Sequence, residues 1–241
     1  MLSLGSSLSR PSISKKSIVK DNLALMHDYT NHGIHQVSTG AAFFDNSNTD
    51  YITMGDVCDL GTTDFTISYW VYLTVAGSQF IMGKRQGAND YWFFGTNSGG
   101  GPRFLSTVGG STAQDLSVSG GDPVPLRTWT HIAASFDRDG LEKIYINGVE
   151  RASDSCNATD IDNTGDLTLG SFYAGANHMD DGYLCNVGIW SGKALSQAEI
   201  KSIMWKNYTD LTSAETTSLA SWWNLSENAN DNHGSNNGTL S

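Results

Sequence analysis

The chain has 241 residues, 39% hydrophobic and 16% charged, with a formal net charge of −11. Hydrophobic segments are spread along its length without a Pro-rich linker, which favours one large core over two small ones. No apolar run is long enough for a membrane-spanning helix, and an acidic body repels nucleic acid and anionic lipid.

Residues 1–20 depart from that balance. They hold Arg10, Lys15, Lys16 and Lys20 and no acid, which leaves 10 basic against 25 acidic residues in the remainder. The segment is Ser-rich and lacks the continuous apolar stretch of a secretory signal. It reads as a transit peptide, as a strand packed on its own domain through Leu2, Leu4, Leu8 and Ile13, or as an arm. In the arm reading, which we carry forward, Leu2, Leu4, Leu8, Arg10, Lys15, Lys16 and Lys20 dock on the acidic surface of a neighbouring subunit. Residues 1–21 are then the arm and 22–241 the domain.

Residues 22–29 read as a first strand. Residues 41–44 and 51–52 flank a turn-rich stretch, with Phe44 and Ile52 expected in the core. In 65–73, Phe65, Ile67, Tyr69 and Val71 alternate with Thr66, Ser68, Trp70 and Tyr72, the period of a strand. Residues 79–83 and 91–95 form the next pair around a polar loop at 84–90, and 103–108 and 115–118 follow around Gly109-Gly110. Residues 128–149 spell a hairpin: Trp129, His131, Ala133 and Ser135 share one face, Thr130, Ile132, Ala134 and Phe136 the other, and Asp137 to Gly140 supply the turn. A second turn is expected at Asn147-Gly148, then a strand at 165–172. Ser196 and Glu199 make a capping box for a short helix near 196–206, with Ile200, Ile203 and Met204 on one face. A closing strand is expected at 219–225. About a dozen short strands call for two stacked antiparallel sheets.

The run Trp129, His131, Tyr145, Asn147, Gly148 resembles the laminin G-like branch of the concanavalin A-like jelly rolls. The block 181–190 followed by Lys193 to Ile200 resembles that family's last core strand and short helix. The resemblance covers residues 22–241 and is best from 129 to 204. It implies an all-β, two-sheet antiparallel jelly-roll sandwich. The tail from Trp222 to Leu240 resembles the pattern with which many such domains begin, so first and last strands are expected side by side. Single-domain chains of this kind with a Ser-rich leader and unpaired cysteines resemble virion proteins of tailed phages. That likeness implies a non-enzymatic head decoration or fibre-like appendage, assembled in the host cytoplasm. Its implied partners are capsid or neighbouring appendage subunits, further copies of itself and a host glycan, with no nucleic acid and no membrane. A carbohydrate-binding module of a secreted or surface protein and a laminarinase-like hydrolase are the alternatives.

Three cysteines, Cys58, Cys156 and Cys185, cannot all pair within one chain and read as free thiols. Glycoside hydrolysis needs two carboxylates flanking the scissile bond. The nearest stretch, Asp160-Ile161-Asp162-Asn163-Thr164, lacks the third acid of the family's alternating pattern, so no catalytic residue is assigned. A pyranose stacks on an aromatic face while its hydroxyls take directed hydrogen bonds. Asp90, Tyr91 and Trp92, with Tyr173, Asn177 and His178, are the candidates for that role. No cofactor is expected apart from calcium, for which Asp45 with Asp50 and Asp180 with Asp181 are the candidate ligands.

Overall fold

A computed structural model of the chain describes residues 25–28, 33–36, 40–45, 50–173 and 176–241. The arm residues Leu2, Leu4, Leu8, Arg10, Lys15, Lys16 and Lys20 lie outside the described residues.

In chain order the first strands are β1 (Leu25–Asp28), β2 (Gly33–Gln36), β3 (Ala42–Phe44), β4 (Ile52–Thr53), β5 (Phe65–Leu73) and β6 (Met82–Arg85). The next are β7 (Tyr91–Thr96), β8 (Pro102–Val108), β9 (Ser111–Ser117), β10 (Thr130–Phe136), β11 (Leu141–Ile146) and β12 (Val149–Ser155). Then come β13 (Asp166–Leu169), β14 (Ser171–Tyr173), β15 (Ala176–His178), β16 (Gly182–Ser191), the helix α1 (Gln197–Ile203), β17 (Leu219–Trp223) and β18 (Thr239–Leu240). One seven-stranded sheet runs β12-β11-β10-β5-β16-β17, with β3 also on β16, and the other runs β18-β4-β13-β6-β7-β8-β9. Two hairpins, β1–β2 and β14–β15, stand apart from them. Among the described residues all strand pairings are antiparallel, and one core lies between the sheets, as a jelly-roll sandwich requires.

The alternation that defines each strand decides which residues fill that core. Ile132, Ala134 and Phe136 face inward with Phe65, Ile67, Tyr69 and Val71, while Ala133 turns outward to meet Trp190, Ile200 and Ile203 beneath α1. Phe44 and Ile52 are both buried in the core. The expected capping box closes α1: the Glu199 N–H donates to Ser196 Oγ, and the Ser196 N–H donates to Glu199 Oε2 at 2.8 Å.

Four expectations need correction. Lys84 and Arg85 do not begin a loop but end β6, and Lys84 is fully buried, because its ammonium reaches aspartates at the end of the sandwich. Strand β12 follows the Asn147-Gly148 turn directly; it is an edge strand, exposed except at Ala152, and its polar sequence hides it. The single strand expected at 165–172 is two, β13 and β14. The break is at Gly170, whose φ of +76° and whose contact with the Phe44 ring, 2.0 Å from a would-be Cβ, only glycine satisfies. The closing strand β18 pairs with β4 rather than β1, with Tyr51 and Ser241 exchanging backbone hydrogen bonds of 3.0 and 3.2 Å.

One carboxyl is buried at the edge of the core. Glu142 on β11 is 4% exposed, and its Oε2 has no hydrogen-bond partner. Burial, seconded by the Asp154 charge, pushes its pKa from 4.5 up to about 7, against the pull of the Cys156 thiol and Arg138. A raised folded-state value means the folded chain keeps a proton that the unfolded chain gives up. The stability this group contributes is therefore full below pH 4.5 and is lost as pH rises through 7. Glu142→Gln, which has no proton to lose, should match the wild type in denaturant melts near pH 4 and exceed it by about 2–3 kcal/mol at pH 8. An identical difference at both pH values would sink this account.

Candidate functional site

The outer face of the β18-to-β9 sheet is built by the residues that alternate with the core. Trp92 and Phe94 on β7 and Phe104 on β8 point inward, so Tyr91 and Phe93, Arg103 and Leu105 point outward. Register places Asp166 of β13, Arg85 of β6, Tyr91 of β7 and Thr107 of β8 in one row across this face. Thr168, Gly83, Phe93, Leu105 and Asp115 make the next.

The β14–β15 hairpin lies over Gly83, where a Cβ would stand 2.8 Å from the Phe172 carbonyl oxygen. The segment before β6 crosses at Gly95 in the same way, with a would-be Cβ only 2.0 Å from Gln79 O. These crossings raise a wall of rings. Phe172 stacks on Phe80 at 5.5 Å between centroids, meets Phe93 edge-on at 5.5 Å and Tyr91 at 4.9 Å, and adjoins Tyr173 at 5.7 Å. The Arg85 guanidinium caps the wall, 4.1 Å from the Tyr173 centroid and 5.3 Å from that of Phe172.

Across the face from the wall, Arg103 forms a bidentate pair with Asp115, Nε to Oδ1 at 2.7 Å and Nη2 to Oδ2 at 2.8 Å. The pairing holds the Arg103 guanidinium above its usual pKa, with burial opposing and the nearby Tyr91 adding to it. Beyond this pair opens a cleft of 440 Å³, lined by Asn97, Gly101, Arg103, Asp115, Ser117 and Asp122 among others. Aromatic wall, ion pair and polar cleft thus share one face.

Of the residues expected to bind a sugar, the fold brings Tyr91 and Tyr173 together against Phe172. Trp92 goes elsewhere: it is 1% exposed in the core, ring-stacked on Phe104, because it alternates with Tyr91. Asp90 braces the β8–β9 turn, accepting from the Gly109 N–H at 2.8 Å. His178 lies opposite Ser171 on the hairpin with Nδ1 lacking a partner, and Asn177 is exposed at φ +55°. Sequence reading missed Arg85, Phe80, Phe93, Phe172 and the Arg103–Asp115 pair. Tyr91 and Phe93 were legible as one alternating set, whereas the meeting of Arg103 with Asp115 needs the β8–β9 register.

The acids divide among structural tasks. Lys84 Nζ lies 2.8 Å from Asp56 Oδ1, in contact with Asp59 and 3.9 Å from Asp162 Oδ1. Burial alone would lower the Lys84 pKa; the Asp56 and Asp59 carboxylates overcome it and hold the ammonium above its ordinary value. The hydrogen bond from Lys84 in turn holds Asp59 below its usual range. Asp160 accepts the Asp162 N–H at 3.0 Å in a local turn. Of the calcium candidates, Asp50 Oδ2 accepts the Asp45 N–H at 3.2 Å, with residues 46–49 outside the described residues. Asp180 is held by Gln79, which donates from Nε2 at 3.3 Å and accepts the Asp180 N–H at 2.6 Å, while the Asp181 carbonyl accepts from Thr74. Among the described residues no three acidic, His or Cys side chains converge as a metal site.

Comparison with known proteins bears on this geometry. A search of curated proteins returned no match. Among solved structures, a putative carbohydrate binding protein from Bacteroides ovatus superposes with a TM-score of 0.65 at 19% identity over 83% of this chain. The chain spans 57% of that protein's length. A heptameric SAP-like pentraxin from Limulus polyphemus gives 0.52 at 15% identity, over 68% of this chain and 80% of the pentraxin. The binding domain of Paraclostridial Mosquitocidal Protein 1 gives 0.51 at 18%, over 76% of this chain and 52% of that one. At these identities the likeness is one of fold. The Laminin G-type profile described as the concanavalin A-like lectin/glucanases superfamily matches residues 46–201. That match spans more than half of the sequence and agrees with the two-sheet sandwich, so the chain belongs to the concanavalin A-like lectin/glucanases superfamily.

Proposed function

We propose that the chain is a non-catalytic carbohydrate-binding module whose ligand lies on the outer face of the β18-to-β9 sheet. The observation that carries this reading is the juxtaposition there of the half-buried Tyr173 and Tyr91 rings, backed by the buried Phe172, with directed polar groups and an open polar cleft. The fold likeness to a putative carbohydrate binding protein supports it.

Spacing speaks against hydrolysis. Asp122, which lines the cleft beside Asp115, is paired with Arg151 at 3.4 Å, and the outward strand carboxylates, Asp166 and Asp115, stand on β13 and β9, four strands apart. At ~4.8 Å per strand that is roughly 19 Å, whereas a glycosidase pair works at about 5–9.5 Å. Asp115 is moreover occupied by Arg103.

Attachment to a virion is a separate proposal, supported by the charge asymmetry between residues 1–20 and the rest and by the likeness to virion proteins noted in the sequence. In it, the cationic segment tethers the acidic module to neighbouring subunits.

Two experiments test these readings. On an array of saccharides the full chain should bind a restricted set, and Tyr173→Ala and Tyr91→Ala should each weaken the best hit about five- to tenfold, the worth of one aromatic contact. Unchanged affinity in both folded variants counts against the outer face. Deleting residues 1–20 should leave the thermal midpoint of the module in place and abolish its incorporation into particles; normal incorporation removes the tether.

A further inference from the structure

We propose that the saccharide on the outer face carries an acidic group, a carboxylate or a sulfate ester, and that Arg85 receives it. The assignment rests on the carbohydrate-binding reading and adds the charge of the ligand to it.

Arg85 closes β6 with its guanidinium lying on Tyr173, and its Nε donates to Gly87 O at 2.9 Å. One N–H and one face of the cation are thus spent on fixing its plane. Among the described residues none accepts from Nη1 or Nη2. Four donors remain on a fork whose orientation is set before any ligand arrives. Two oxygens of a carboxylate or sulfate fit that fork, and a planar cation held by stacking loses little freedom on pairing with them.

Among the described residues no acid of this face lies within 4.0 Å of the Arg85 nitrogens. Asp166 stands directly opposite Arg85 in the β13–β6 register, yet its Oδ2 is 3.4 Å from Thr53 Oγ1 on β4, on the far side of β13. Asp90 accepts from Gly109, and Asp115 takes both oxygens to Arg103. Two arginines therefore share one sheet face in opposite states. Arg103 is neutralised by a bidentate carboxylate, and Arg85 is stacked and open beside Tyr91, Phe172 and Tyr173, where a sugar ring would lie.

The test uses the full chain on an array that prints neutral saccharides beside their sulfated and uronic counterparts, at about 0.15 M salt, where surface charges beyond ~8 Å are screened. Acidic members should dominate the hits, which a protein of net charge −11 cannot achieve by bulk attraction. Arg85→Gln should weaken the acidic hits at least about tenfold more than it weakens their neutral counterparts, as expected for a lost charged hydrogen-bond pair. Arg85→Lys should restore part of the loss, because an ammonium keeps the charge without the fork. If each neutral saccharide binds as tightly as its acidic counterpart and Arg85→Gln alters neither, the anion assignment is overturned while carbohydrate binding stands. An array without hits overturns both.

Discussion

The rings of Phe65 on β5, Phe136 on β10 and Phe104 on β8 meet midway between the sheets, with centroid separations of 4.2 Å for Phe65–Phe136, 4.5 Å for Phe104–Phe136 and 5.7 Å for Phe65–Phe104. Close-packed rings of this size tolerate no slip of one strand against the next. Since side chains alternate across a strand, fixing Phe104 inward sends Arg103 and Leu105 outward, and fixing Trp92 and Phe94 inward does the same for Tyr91 and Phe93. The outer face is therefore dictated by the packing of the inner one. A one-residue shift of β7 would turn Tyr91 and Phe93 into the core and Trp92 out of it, losing core and platform together.

An antiparallel sheet with one bare face would present only its own side chains. Here two chain segments cross it, at Gly83 under Phe172 and at Gly95 under Gln79, and each crossing uses the missing Cβ for backbone approach. Gly170, at φ +76°, turns the chain out of β13 and into the hairpin that carries Phe172 and Tyr173. The hairpin converts a flat face into a walled one, which a saccharide needs if it is to be gripped from the side as well as stacked.

Much of this was legible in the sequence, and the unread parts share a cause. Strands with clean alternation, such as 65–73 and 130–136, were read with their faces correct, as were the helix and its capping box. Strand β12 was missed because an exposed edge strand has no apolar period to betray it. Lys84 lies in a polar stretch that reads as a loop, because no local pattern tells that a lysine will cross the interior to Asp56 and Asp59, residues separated from it by the whole of β5. Trp92 adjoins Tyr91 in sequence, a nearness that in a strand sends the two side chains to opposite faces. Contacts such as Arg103 with Asp115 or Arg85 with Tyr173 depend on register and on a hairpin folding over, and neither leaves a mark in the sequence.

The neighbouring residues Lys84 and Arg85 show how alternation becomes chemistry. Both are cations at the end of β6, and the period of two sends them to opposite sides of one sheet. Lys84 is buried, so it folds only with its charge balanced, and three aspartates at the sandwich end do this at the cost of their own availability. Arg85, on the half-exposed face, requires no such balance: water solvates what the protein leaves open, and Tyr173 fixes the plane of the group without neutralising it. An acidic protein thus keeps, where its aromatic rings are gathered, a cation that no carboxylate among the described residues approaches within 4.0 Å. With charges screened over about 8 Å in physiological salt, a ligand already in contact with those rings responds to that local charge far more than to the net charge of the whole.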